Sequence, residues 1–145
     1  MVDACGGIAL DSAGDPILVL RWRQGNWQSL PSPGTGVGRP ALDFTPSGRP
    51  VVAYRASTDQ GLTSQIIVKA WNHGAWQQVG DVVAGLSCEL ATGETCYPQA
   101  SLDLVVDPVG RAVVAWGEAS PTLGPDGNLT WPGRLTVKRS LAETE

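Results

Sequence analysis

The chain has little with which to do chemistry. Among its 145 residues there is one histidine and there are three cysteines. A lone His73 does not build a Ser-His-Asp set. Cys5, Cys88 and Cys96 form no C-x-x-C pair, so no zinc module is expected, nor any other cofactor. No apolar run approaches the roughly 20 residues that span a bilayer. Charged residues make up only 17%, and the ten cations (eight Arg, two Lys) are scattered through a chain of net charge −4. Nucleic-acid binding wants a basic stripe, so that class is set aside. The opening Met1-Val2-Asp3-Ala4-Cys5-Gly6-Gly7 has neither a basic n-region nor an apolar h-region, and no signal peptide is read in it. Helical periodicity is also lacking: apolar residues do not recur at the 3, 4, 7 spacing, and only 82–92 leaves room for a helical turn, which Gly85 weakens.

What is plentiful is glycine (18), proline (11) and tryptophan (six of nine aromatics), within a hydrophobic fraction of 42%. That fraction is enough for a core and the length suits one domain, residues 1–145. The glycines and prolines punctuate a repeat. Residues 41–55 read ALDFTPSGRPVVAYR, 102–116 read LDLVVDPVGRAVVAW, and 9–20 read ALDSAGDPILVL. Aligned on Gly14, Gly48 and Gly110, each gives an apolar segment, a polar glycine turn and a β-branched segment, the grammar of paired antiparallel strands. A second element repeats as W-x-x-G-x-W, in Trp22 to Trp27 and Trp71 to Trp76. The middle copy then predicts four strands, near 40–44, 50–56, 64–72 and 75–80, the size of one propeller blade. The third copy has three, ending with Arg134 to Arg139, and lacks the outer strand. The first is compressed: its strand at 16–22 aligns with either the second or the third strand of the middle copy and runs into an outer-type strand at 26–30. The repeats span about 6–38, 39–83 and 98–145, with a loop inserted at 84–97.

The pattern ALDxxGxPVVAW…IIVKxWNxGxWxxVG resembles the repeats of bacterial surface and secreted β-propellers, over most of 8–83 and 99–140. The resemblance implies an all-β fold of about three incomplete four-stranded blades, and a secreted or cell-surface location. It is not the Asp-box of sialidases, since Ser12, Pro46 and Pro108 stand where that motif has aspartate. W-x-x-G-x-W is loosely similar to a segment of fucose-binding propeller lectins, some of which complete a propeller only by oligomerising; Arg23-Gln24 and Asn72-His73 depart from their Asp-Gly pair. A propeller normally takes four or more blades. Three leave sheet faces and edges uncovered, which favours association. The expectation is closure by several copies of the chain, with a segment of a larger propeller or a sandwich-like packing as alternatives.

Cys88 and Cys96 flank a polar loop and are candidates for a disulfide contributing about 2–3 kcal/mol in the chain-entropy model. Two unrelated thiols are the other reading, and Cys5 is left free or paired between chains. Trp22, Trp27, Trp71, Trp76 and Trp131 are the candidate ligand-binding residues, because an indole face stacks on the C–H face of a sugar. Inter-blade packing competes with that role at Trp22 and Trp71 above all. Trp116, aligned with Tyr54, reads as core, and Trp131, before Pro132-Gly133, as loop.

Arg49 and Arg111 follow the turn glycines and read as turn supports. Asp11, Asp103 and Asp107 read as turn caps, since calcium needs six to eight clustered oxygens. Asp43, Asp103 and Glu118 show no spacing that singles out a glycosidase pair, and Tyr54-Arg55 is a faint echo of a sialidase site. Asn128-Leu129-Thr130 is a formal glycosylation sequon in an Asp-Gly turn. The expected function is a non-catalytic binding module for carbohydrate or surface recognition. The alternatives are a self-assembling structural fragment and, behind it, a glycoside-active enzyme fragment.

Overall fold

A computed structural model describes residues 5–8, 18–58, 63–87, 99–119, 122–130 and 133–143. Among them there is no helix, and all strand pairing is antiparallel. The first sheet has the order β1-β2-β3 (Cys5–Ile8, Leu18–Arg23, Asn26–Leu30). The second has the order β4-β5-β6-β7 (Val37–Phe44, Pro50–Thr58, Thr63–Asn72, Ala75–Gln78), with β8 (Ala84–Ser87) pairing the other half of β6. The third has the order β9-β10-β13 (Gln99–Val106, Arg111–Ala119, Gly133–Glu143), and a small hairpin, β11-β12 (Thr122–Leu123, Leu129–Thr130), is inserted between β10 and β13. The four strands read in the middle copy and the three in the last are therefore present. So is the compressed first copy, in which β2 serves both as partner of β1 and as first arm of the W-x-x-G-x-W hairpin. At 84–87, inside the stretch read as loop or helical turn, the chain forms β8 instead.

Two kinds of turn generate the repeat. In Thr45-Pro46-Ser47-Gly48 and Asp107-Pro108-Val109-Gly110 the glycine N–H donates to the carbonyl three residues back, at 2.8 and 2.9 Å. Proline presets the second position and glycine takes φ of 81° and 82°, values that exclude most side chains. The first residue caps the turn with its side chain: Thr45 Oγ1 accepts from Arg49 N at 3.0 Å and Asp107 Oδ1 from Arg111 N at 2.8 Å. The other turns, Gln24-Gly25 and His73-Gly74, are two-residue loops with positive φ at both positions (52° and 79°, 49° and 83°). That is the I′ geometry matching the right-handed twist of the strands it joins.

The second sheet lies between the other two. On one face Val51, Ala53, Ile66, Val68 and Ala70 are buried against Leu104, Ala112, Val114 and Trp116 of the third sheet. On the other, Val52 and Tyr54 are buried against Val19 of the first, with Leu30, Ile67 and Trp76 packed around them. Strand alternation accounts for this: successive residues of β5 face opposite sheets. The repeat also keeps its orientation. Val114 and Trp116, the equivalents of Val52 and Tyr54, again face the preceding sheet. Each fully buried Val or Ile contributes about 1.5–3 kcal/mol. The first strands of the sheets are neighbours as well, β4 touching both β1 and β9, and Asp43 Oδ2 accepts a hydrogen bond from Val106 N at 2.6 Å.

Candidate functional site

Each W-x-x-G-x-W hairpin places its two tryptophans directly opposite, as the pairs Trp22↔Trp27 and Trp71↔Trp76. The rings meet edge to face with centroids 5.3 Å apart and interplanar angles of 68° and 69°. Such a pair contributes about 0.5–1.5 kcal/mol beyond its buried area, so one role of the motif is to hold its own hairpin. The two pairs differ in what surrounds them. Trp71 and Trp76 are half-buried, and Trp76 Nε1 donates to the Pro31 carbonyl in the segment joining the first two sheets. Trp22 and Trp27 are 37% and 55% exposed. Trp116 is core, as its alignment with Tyr54 implies. Trp131, Cys88 and Cys96 lie outside the described residues, as does the side chain of Cys5.

The polar groups beside the pairs also differ. Asn72 is committed: its Oδ1 accepts from Arg49 Nη1 at 2.6 Å and its Nδ2 donates to Gln77 Oε1 at 3.3 Å. Arg49 further donates to Ser47 Oγ at 3.2 Å. It thus ties the glycine turn to the tryptophan hairpin through side chains, a turn support that reaches beyond its own turn. Asn26 and Gln28, next to Trp27 in sequence, are exposed but project from the opposite face of β3, whereas the exposed Ser29 shares the face of Trp27. Tyr54 and Arg55 project from opposite faces of β5 and do not share a site; burial lowers the pKa of the Arg55 guanidinium. Asp103 Oδ1 accepts from the backbone N–H of Leu104 at 2.9 Å, and Asp43 joins β4 to β9. No cluster of three metal-ligating side chains occurs among the described residues. The sequon residue Asn128 donates from Nδ2 to Asp126 Oδ2 at 2.8 Å. That bond and a second from the Asn128 backbone hold the Asp126 carboxyl below its ordinary pKa.

The chain's two lysines, which were not among the candidate residues of the sequence, occupy equivalent positions. Lys69 lies 5.8 Å from the Tyr54 ring centre and donates to the Pro33 carbonyl. Lys138 lies 5.8 Å from the Trp116 ring centre and donates to the Val83 carbonyl at 2.7 Å. Each lysine thus clasps the segment that follows the second arm of the preceding sheet's W-x-x-G-x-W hairpin, β3 or β7. The signal was present in Val68-Lys69 and Val137-Lys138, a shared dipeptide on equivalent strands. Tyr54 Oη adds a bond to Pro33 O at 3.2 Å.

Below Lys138, between the second and third sheets, is a cavity of about 480 Å³ lined by Val68, Val79, Val83, Val114, Lys138 and Ser140, among others. Its size falls in the range of small-molecule sites. No known protein family, curated protein or solved structure matches the chain.

Proposed function

We propose that the chain is a non-catalytic recognition module of propeller-type blades that binds carbohydrate at the Trp22–Trp27 pair. The observation that carries this reading is the exposure of that pair, at 37% and 55%, on a hairpin whose exposed Ser29 shares their face. The indoles offer apolar faces to sugar C–H groups and the Ser29 hydroxyl offers a polar contact to sugar hydroxyls. Trp71–Trp76, whose indole N–H and neighbouring Asn72 are already engaged, serves packing in this reading.

Stacking of three sheets in a constant orientation, with their first strands adjacent, supports the blade reading. A second reading, completion of the blade set by further copies of the chain, is favoured by the two end faces. Val113, Ala115, Leu135 and Val137 are the equivalents of Val51, Ala53, Ile66 and Val68, which the third sheet buries. Yet Leu135 and Val137 are 74% and 58% exposed. At the other end, Leu20, Trp22 and Trp27 share the face of the first sheet opposite Val19. These faces are the two halves of a junction that the chain already makes twice, and copies joined head to tail cover both. Such a module belongs at the cell surface or outside the cell.

A glycan array followed by titration tests the first reading. The expected result is binding to a sugar class that Trp27→Ala reduces at least tenfold with the fold intact; absence of binding to every glycan refutes it. Sedimentation tests the second: a multiple of the 15.2 kDa chain mass, lost on Val137→Glu, supports it, and a monomer at all concentrations overturns it.

A further inference from the structure

The junction between the second and third sheets repeats the one between the first and second, with one part left out. In the first junction β7 extends the sheet beyond β6 and carries Trp76. That ring packs in the cluster containing Leu30, and its N–H reaches the Pro31 carbonyl. With Trp27 and Trp76 taken as equivalents, Leu30 and Pro31 correspond to Val79 and Gly80. In the second junction no described strand stands where β7 would: β13 is the last strand of its sheet and pairs with β10 alone. The place of the indole is open too, because the 480 Å³ cavity is bordered by Val79 and Gly80 themselves. Among the described residues, an edge of β13 that no strand pairs and an open cavity lined largely by valines thus coincide, each at the position that one missing strand would fill.

We propose that this edge and cavity together form a docking site for an extended peptide segment bearing a tryptophan, added to the third sheet as its fourth strand. The backbone of β13 supplies the ladder, as in other strand additions. Val79, Val83 and Val114 receive the ring, and the Gly80 carbonyl stands where the Pro31 carbonyl accepts the Trp76 N–H. Lys138, fixed to the Val83 carbonyl and over Trp116, holds the wall of the seat in place. The filled example shows what is specified. Ala75, Gln77 and Gln78 flank Trp76 and are exposed, so the indole and an extended backbone are required and the flanking side chains are not. The inference rests on the equivalence of the repeats and not on sugar binding, so the two fail separately.

The test is a capped peptide with the sequence of residues 73–80, titrated into the full chain while backbone amides and their hydrogen exchange are followed by NMR. The expected result is saturable binding that slows exchange along β13. The Trp76→Ala peptide is expected to bind at least tenfold more weakly. Val82→Phe, which enlarges an exposed residue at the cavity rim, is expected to weaken binding similarly without shifting the unfolding midpoint. No saturable binding, equal binding of the two peptides, or binding that leaves β13 exchange unchanged overturns the proposal.

Discussion

The ammonium of Lys138 sits 5.8 Å from the centre of the Trp116 ring and donates at 2.7 Å to a carbonyl of the neighbouring sheet's trailing segment. Lys69 does the same with Tyr54 and Pro33. Each clasp combines a charge-assisted hydrogen bond with a cation–π contact. Lys69 is half-buried and Lys138 exposed, so solvent screens the second more. Lys69→Met is expected to cost about 1–2 kcal/mol and Lys138→Met about 0.5–1 kcal/mol. Urea unfolding of the two variants checks the order; equal midpoints with wild type for both remove the clasp from the stability argument.

The two-residue turns hold Gln24 and His73 at φ of 52° and 49°, a region that asparagine tolerates better than either. Gln24→Asn and His73→Asn are each expected to stabilise by about 0.5–1 kcal/mol. A rise in the thermal midpoint of each variant is the readout.

Repeat equivalence sets up a paired experiment. Ile66 and Leu135 hold the same place in successive copies, one fully buried and the other 74% exposed. Ile66→Ala is expected to cost about 3 kcal/mol, the usual scale of a core truncation. Leu135→Ala is expected to stay within about 0.5 kcal/mol at concentrations where the chain is monomeric. A large cost at both positions means that the outer face is covered even in the monomer.

Trp76→Ala opens a void beside Leu30 and leaves the Pro31 carbonyl without its donor, and is expected to cost about 2–3 kcal/mol. Trp27→Ala loses chiefly the edge-to-face pair, about 1 kcal/mol. Denaturant midpoints that fail to rank in this order contradict the assignment of Trp76 to packing.

Asp126 titrates below the ordinary carboxylate range because Asn128 donates to it from side chain and backbone. A depressed folded-state pKa gives stability that is present above the unfolded pKa and is lost as pH falls through the folded value. Asn128→Ala is expected to return the carboxyl upward, by NMR titration, and to shrink that acid-range loss.

The four strands of the middle copy, the three long strands of the last and both turn types were legible in the sequence because they depend on neighbours: Pro46 and Pro108 preset φ, and Gly48, Gly110, Gly25 and Gly74 permit the positive values. The unequal exposure of the tryptophan pairs was not legible, because W-x-x-G-x-W reads the same in both copies. What separates them is Leu30 to Pro33, which packs against the second copy and bonds to Trp76, Lys69 and Tyr54, while among the described residues none hydrogen-bonds to the Trp22 or Trp27 side chain. The lysine clasps were hidden because their acceptors are backbone carbonyls, which carry no residue signature. β8 was missed because Ala84-Gly85-Leu86-Ser87 has weak strand propensity of its own and is ordered by pairing with the first half of β6.

Asp43 reaches from β4 to the Val106 N–H of the next sheet, and its position is occupied by Ala9 in the first copy and Val105 in the third. Apolar faces of period two pack nearly as well after a slide of two residues along the strands. A carboxylate bonded to one chosen amide does not survive that slide. The joint between the second and third sheets thus carries a key in its first strands that neither other copy has the residue to repeat, so a chain with the copies reordered keeps its hydrophobic pattern and loses that alignment.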